Sequence, residues 1–227
     1  MDNLILIGLA GTMKSGKDTV ADYLVRSYGF TKIGFADAIR NQVTTAFELD
    51  NDLCLTVQEE KELPNHSLAL IYCAEQGFVA WLQANHQLND DAAMPRTPRW
   101  IQQKWGDYIR ATKGWDFFIN AVRHKILWKV SQAHEMTPIV ISGVRFAASA
   151  PNPTAEADLI RSLGGQVWHV QRPCLEYASD HSTEAPLPIE DNDRILINGN
   201  TIDYLLQEVD FKLNDLLRTR VRTLAPL

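Results

Sequence analysis

The feature that most constrains this chain is a run near its start, Gly11-Thr12-Met13-Lys14-Ser15-Gly16-Lys17-Asp18-Thr19. An apolar stretch, Leu4-Ile5-Leu6-Ile7-Gly8-Leu9, leads into it, and Val20, Ala21, Leu24 and Val25 follow at helical spacing. Buried strand, glycine-rich turn and helix are the setting in which a G-x-x-x-x-G-K sequence binds phosphate. Backbone N–H groups of such a turn wrap the anion, and the positive end of the next helix points at it. Gly11 and Gly16 permit positive φ and close backbone approach. Lys17 supplies a point charge for the β- and γ-phosphates. The phosphate-binding set expected from this stretch is Gly11, Lys14, Ser15, Gly16, Lys17, Asp18 and Thr19.

One position departs from the usual pattern. Asp18 stands where Ser or Thr ordinarily offers a hydroxyl to Mg2+. A carboxylate is a hard oxygen ligand and could hold the metal directly or through water. An acidic residue in the first turn also suits the helix dipole, so two readings of Asp18 stand.

The remaining chain narrows the classes. With 227 residues, 45% hydrophobic, it is long enough for one large domain carrying insertions. A net charge of -6 argues against a broad nucleic-acid footprint but leaves room for a local basic site. Cys54, Cys73 and Cys174 form neither a disulfide framework nor a zinc pattern, which suits a reducing cytoplasm. The N-terminus opens into a strand without a basic flank, so no secretion signal is expected. No apolar run is long enough to span a membrane.

Further strands are expected at 31–35, 138–142, 166–170 and 194–198. Helices are expected from about Asp37, a plausible cap, to Leu49, then over 67–86, 98–111, 115–130, 154–163 and 201–220. Strands alternating with helices imply a mainly parallel, doubly wound α/β sheet with helices on both faces. Residues 173–190, polar and holding Pro186 and Pro188, read as a flap. Its cluster Asp180-His181-Ser182-Thr183-Glu184 could close over a nucleotide.

The helix at 98–111 has two faces. Ile101, Trp105 and Tyr108 are core candidates, while Arg99, Gln103, Gly106 and Arg110 fall nearly opposite. Glycine inside a helix costs about 1 kcal/mol relative to Ala, so Gly106 needs a reason: room for a ligand, or tight helix packing. The two arginines could grip a phosphorylated ligand or simply be solvated. Arg145 and Arg172 follow the third and fourth strands, the edge of an open parallel sheet where ligands collect. Structural pairing, for example of Arg145 with Glu156, is the alternative.

Taken together these segments resemble the deoxynucleoside monophosphate kinases of tailed bacteriophages. The likeness is carried by Ser15-Gly16-Lys17-Asp18-Thr19, Gly34-Phe35-Ala36-Asp37, Thr97-Pro98-Arg99 with Trp105-Gly106, Val144-Arg145-Phe146, and Asp180-His181-Ser182-Thr183-Glu184. The resemblance implies a three-layer P-loop fold of the nucleoside-monophosphate-kinase type. Its five-stranded sheet is ordered 2-3-1-4-5, with a monophosphate-binding helical insertion at 36–131 and a lid at 173–190. It further implies ATP as donor, Mg2+ as cofactor, deoxynucleoside monophosphates as acceptors, often a homodimer, and a cytoplasmic location. On this reading Lys17, Arg145 and Arg172 are catalytic and Asp18 meets the metal. Asp37, Arg40, Arg99, Gln103, Gly106, Arg110 and Trp115 bind the acceptor, and His181 and Glu184 belong to the lid. Two departures stand out. Gly143 replaces an expected acidic residue, and Ala147–Thr154 lengthens the turn before Ala155-Glu156-Ala157. Rival readings are another small-molecule P-loop kinase, acting on dephospho-coenzyme A or phosphomevalonate, and a nucleotide-driven switch or ATPase.

Overall fold

Five strands make one sheet in the order β2-β3-β1-β4-β5: β1 (Leu4–Ala10), β2 (Thr31–Gly34), β3 (Thr137–Val144), β4 (Gln166–Gln171) and β5 (Arg194–Ile197). Every pairing in it is parallel, so the expected strand order is the observed one. The helices are α1 (Lys17–Tyr28), α2 (Asp37–Ala46), α3 (Leu53–Thr56), α4 (Gln76–His86), α5 (Pro98–Lys113), α6 (Phe117–Gln132), α7 (Ala155–Ser162) and α8 (Ile202–Leu224). The structure, a computed structural model, describes residues 3–57, 59–86, 91–173 and 186–224. No helix among the described residues is long and apolar enough to cross a membrane.

The chain divides into two units, Met1–Phe35 with Val122–Leu227, and Ala36–Ala121. In the first, all of β1 is buried, as befits a central parallel strand covered on both faces. Successive side chains point to opposite faces. Ile5, Ile7 and Leu9 accordingly join Val20, Ala21 and Leu24 of α1 and Leu205, Val209 and Leu213 of α8 in one core. On the other face α7 closes on β1 at Gly8, where a Cβ would lie 2.2 Å from Ile160 Cδ1. α1 ends at Gly29, φ 68, whose N–H reaches Val25 O while Phe30 N–H reaches Leu24 O, a left-handed stop that glycine adopts without strain.

The second unit has its own core, with Leu55, Leu68, Phe78, Leu82, Ile101, Trp105 and Ile109 among its members. α5 starts at Pro98 behind Thr97, whose hydroxyl accepts from Trp100 N–H at 3.2 Å, a capped proline start.

Two local expectations need correction, and the departure at Gly143 gains a reason. The single helix expected over 67–86 is broken into two 3-10 turns, His66–Leu68 and Leu70–Tyr72, before α4. Asn65 Oδ1 accepts Ser67 N–H at 2.9 Å, and Ala69 and Cys73 are extended; their burial with Leu68 and Leu70 outweighs helix continuity. Asp37 is not a cap: Ala36 holds that position without a side-chain bond, and Asp37 sits inside the first turn, paired with Arg40. Gly143 adopts φ 77 at a break in register, where Leu9 pairs with Ser142 but Ala10 with Val144. It is therefore a bulge residue, and its backbone excludes an acidic side chain without strain.

Candidate functional site

The turn after β1 has the backbone its sequence demands. Gly11 has φ 151, Lys14 φ 62 and Gly16 φ 105, and Gly16 is the N-cap of α1. Two groups converge on Thr12 O, Ser15 N–H at 3.2 Å and Lys17 Nζ at 2.9 Å. The lysine thus arches back over the turn it would neutralise. Ser15 is buried and its Oγ has no hydrogen-bond partner among the described residues; its side chain is packed beneath Gly11, so its use to an anion lies in its backbone. Gly11 permits that packing, since a Cβ there would lie 2.5 Å from Val170 O and 2.6 Å from Ser15 Oγ.

Asp18 and Thr19 open α1. The Asp18 side chain is 73% exposed, with Lys32 Nζ 3.7 Å away, and the same lysine bonds Asp22 at 2.9 Å. Among the described residues no group of three His, Cys, Asp or Glu side chains gathers to cage a metal. Mg2+ held chiefly by phosphate oxygens and water needs only one or two carboxylates. An exposed carboxylate next to Lys17 fits that requirement, and Lys32 is its competitor.

Sequence reasoning assigned no role to Asn198, which follows β5. Its Nδ2 donates to Ser15 O at 2.8 Å, and its own N–H donates to Gln171 O at 2.7 Å. The available signal was an amide side chain placed just past a strand's carboxyl end. Arg145 and Arg172 are exposed beyond β3 and β4, and neither guanidinium has a partner among the described residues. Glu156 does meet Arg145, but by accepting its backbone N–H at 2.8 Å. The contact weighed as the structural alternative for Arg145 is thus a bond that fixes the backbone and leaves the side chain at the surface. His181 and Glu184 lie outside the described residues.

In the second unit, α2 and α5 bring part of the predicted acceptor set together. A Cβ on Gly106 would meet Arg110 Nη2 at 3.3 Å and Ile39 Cδ1 at 3.5 Å. Trp105 Nε1 donates to Gln42 at 2.8 Å. Gly106 therefore lies where α5 packs on α2 and where the Arg110 side chain folds back. Arg110 bonds Asp107 at 2.7 Å and lies 5.5 Å from the Trp115 ring centroid. Arg40 pairs with Asp37 and Arg99 with Glu62, while Gln103 is exposed. Each arginine is met by one carboxylate among the described residues, and a guanidinium carries five donors in a planar fork, more than one carboxylate can take. Arg99 stands two turns before Gly106, about 10 Å along the axis, at the opposite end from Arg110.

A cavity of about 610 Å3, lined by Arg161, Gly165, Gln166, Glu190 and Leu216 among others, opens at the amino ends of β4 and β5. Ligands of open parallel sheets bind at the carboxyl ends. Arg161 is also already held by Asp158, Glu190 and Asp193. The phosphate-binding turn, not this cavity, is the candidate site.

The profile of the deoxynucleotide monophosphate kinase family matches residues 104–209, which include Gly106, Arg110, Arg145 and Arg172. The chain's curated relatives at this level of similarity carry the same description. The deoxynucleotide monophosphate kinase of Enterobacteria phage T4 is 26% identical over 90% of this chain and 96% of its own length. A protein of Acanthamoeba polyphaga mimivirus provisionally given the same name is 28% identical over 91% of this chain and 94% of its own. Among solved structures, a gluconokinase from Sinorhizobium meliloti 1021 aligns over 97% of this chain and 98% of its own, with 14% identity and a TM-score of 0.44.

Proposed function

We propose that this protein is an ATP-dependent kinase of deoxynucleoside monophosphates, moving the γ-phosphoryl group of ATP onto the acceptor's 5′-phosphate to give a deoxynucleoside diphosphate and ADP. The observation that carries the reading is a formed phosphate-binding turn in a chain similar over nearly its whole length to deoxynucleotide monophosphate kinases.

The attacking phosphate oxygen is anionic near neutral pH, so the reaction needs alignment and positive charge more than a general base. The amides of Gly11–Thr19 and the Lys17 ammonium hold the donor phosphates. Arg145 and Arg172, exposed at the carboxyl edge of the sheet, stabilise charge on the group in flight. On the second unit, Arg110 and Arg40, with Asp37, Gln103, Gly106 and Trp115 around them, bind the acceptor, and Arg99 extends the set. Asp18 would hold Mg2+, which would add charge neutralisation on the donor phosphates. His181 and Glu184 act in the lid. A homodimer in the cytoplasm is the assembly and location that accompany this reading, with no nucleic-acid or membrane partner required.

The test is ADP formation by the purified protein with ATP and Mg2+, alone and with each of the four deoxynucleoside monophosphates, dephospho-coenzyme A, phosphomevalonate or DNA. Turnover dependent on a deoxynucleotide is expected. Turnover stimulated by DNA, or by one of the other acceptors alone, would overturn the assignment.

A further inference from the structure

We propose that Asn198 is a positioning residue that keeps the phosphate loop in its anion-binding form by fixing one peptide plane. The inference rests on the reading of Gly11–Thr19 as the turn that holds the phosphates of ATP. Asn198 is itself well anchored, because its N–H is bonded to Gln171 O at the end of β4. From there its side-chain amide donates to the carbonyl of Ser15 at 2.8 Å.

The Ser15–Gly16 peptide is trans, like every other peptide described. In a trans peptide the C=O and N–H point in opposite directions. Tying the Ser15 carbonyl to Asn198 therefore aims the Gly16 N–H away from the β5–α8 turn. No described residue accepts a hydrogen bond from that N–H, so it is a donor left for an anion. Glycine on the far side of this peptide makes the restraint necessary. A residue that tolerates either sign of φ lets the plane rotate at little cost, and the rotated plane would present a carbonyl oxygen to the phosphates. The bonds onto Thr12 O, from Ser15 N–H and Lys17 Nζ, do not act on this plane. Asn198 does, and the fit is close: a Cβ at Gly16 would lie 2.6 Å from Asn198 Nδ2. The glycine admits the amide, and the amide removes the freedom that the glycine brings.

The discriminating substitution is Asn198→Asp, which keeps the shape but sets a carboxylate oxygen against the Ser15 carbonyl; Asn198→Ala removes the donor alone. Binding of ATP, of tripolyphosphate as a base-free probe, and of deoxynucleoside monophosphate is measured by calorimetry, alongside the melting temperature. Loss of one positioned hydrogen bond is expected to weaken ATP and tripolyphosphate about tenfold in Asn198→Ala, and further in Asn198→Asp. Monophosphate affinity and melting temperature should be unchanged. Wild-type ATP affinity in Asn198→Asp would overturn the proposal. So would a loss for ATP without one for tripolyphosphate, which would make Asn198 a base contact. Parallel losses in all ligands and in melting temperature, or failure of both variants to fold, would reduce it to a fold residue. Lys17→Met separates the underlying reading: if it too leaves both phosphate ligands bound as in wild type, the phosphate-loop assignment fails, whereas weakening by Lys17→Met alone sinks only the role of Asn198.

Discussion

Replacing Asp193 by Asn is expected to destabilise the first unit by about 3–5 kcal/mol, the usual cost of removing one partner from a buried ion pair. The Asp193 side chain is 1% exposed. Its two oxygens receive Arg161 Nη2 at 2.6 Å, Arg161 Nε at 3.3 Å, the Glu190 N–H at 2.9 Å and His169 Nε2 at 3.1 Å. Asn matches the volume, so no cavity opens. Its amide nevertheless offers one oxygen where there were two, and its NH2 must face a donor, stranding Arg161, whose side chain is only 16% exposed. For a chain of this length the loss corresponds to a fall of about 6–20 °C in melting temperature. The pH dependence supplies a second check. Burial alone would raise the Asp193 pKa, but the hydrogen bond from Arg161, then the Glu190 N–H and His169, outweigh it and hold the group below its ordinary value of 3.8. A carboxyl depressed in the folded state takes up its proton first in the unfolded chain. Its contribution is complete above that ordinary value and is lost as pH falls through the lower folded one. Urea denaturation followed by tryptophan fluorescence, run from pH 7 down to about pH 3, should show a gap between wild type and Asp193→Asn that is constant near neutrality and narrows in acid. A gap below about 1 kcal/mol at pH 7, the level of a surface pair, or one that widens in acid, would refute the reasoning.

Lys17→Met should fold normally and lose roughly 10²–10³ in turnover, as expected for one preorganised charge at developing negative charge; near-normal turnover with an unchanged melting temperature would remove Lys17 from the mechanism. Asp18→Asn should raise the magnesium concentration needed for half-maximal turnover while changing stability by no more than about 0.5 kcal/mol, because its pair with Lys32 is exposed. An unaltered magnesium titration with earlier melting would favour the helix-dipole role. Arg110→Ala should weaken the deoxynucleotide about ten- to hundredfold, the worth of a charge-assisted hydrogen bond, and leave ATP saturation alone. Equal small changes in both curves would return Arg110 to packing on Trp115 and Asp107.

Much of the fold was legible because its signals are local. Leu4–Leu9 is apolar on both faces, which only a central parallel strand requires, and the glycines at 11 and 16 mark the turn that follows. The strand order matched what the family likeness implied. What escaped depends on long-range contacts or on backbone angles. The bond from Asn198 to Ser15 joins residues 183 positions apart, and nothing near either residue announces the other. The break between Leu68 and Gln76 is set by burial of Ala69 and Cys73, which helical periodicity does not see. The bulge at Gly143 is a matter of register between two strands. In the predicted acceptor set the residue types were readable, and helical spacing allows the pairs Arg40–Asp37 and Arg110–Asp107, but the pairing of Arg99 with Glu62, 37 positions away, was not.

The interruption of the first unit by the second has a consequence for synthesis. β1 leaves the ribosome before residues 36–121, yet its neighbours in the sheet are β3 and β4, which follow them, and Leu4 has its partner in Thr137. Residues 36–121 emerge as unbroken sequence with a core of their own, so the second unit closes through short loops while the strand before it is still unpartnered. Closing β1 onto β3 demands a far longer loop, and long-range parallel pairing is slow to form. The most apolar segment of the chain, the one that carries the phosphate-binding turn, therefore passes the whole making of the second unit without its sheet, the interval in which exposed strands invite aggregation and chaperone capture.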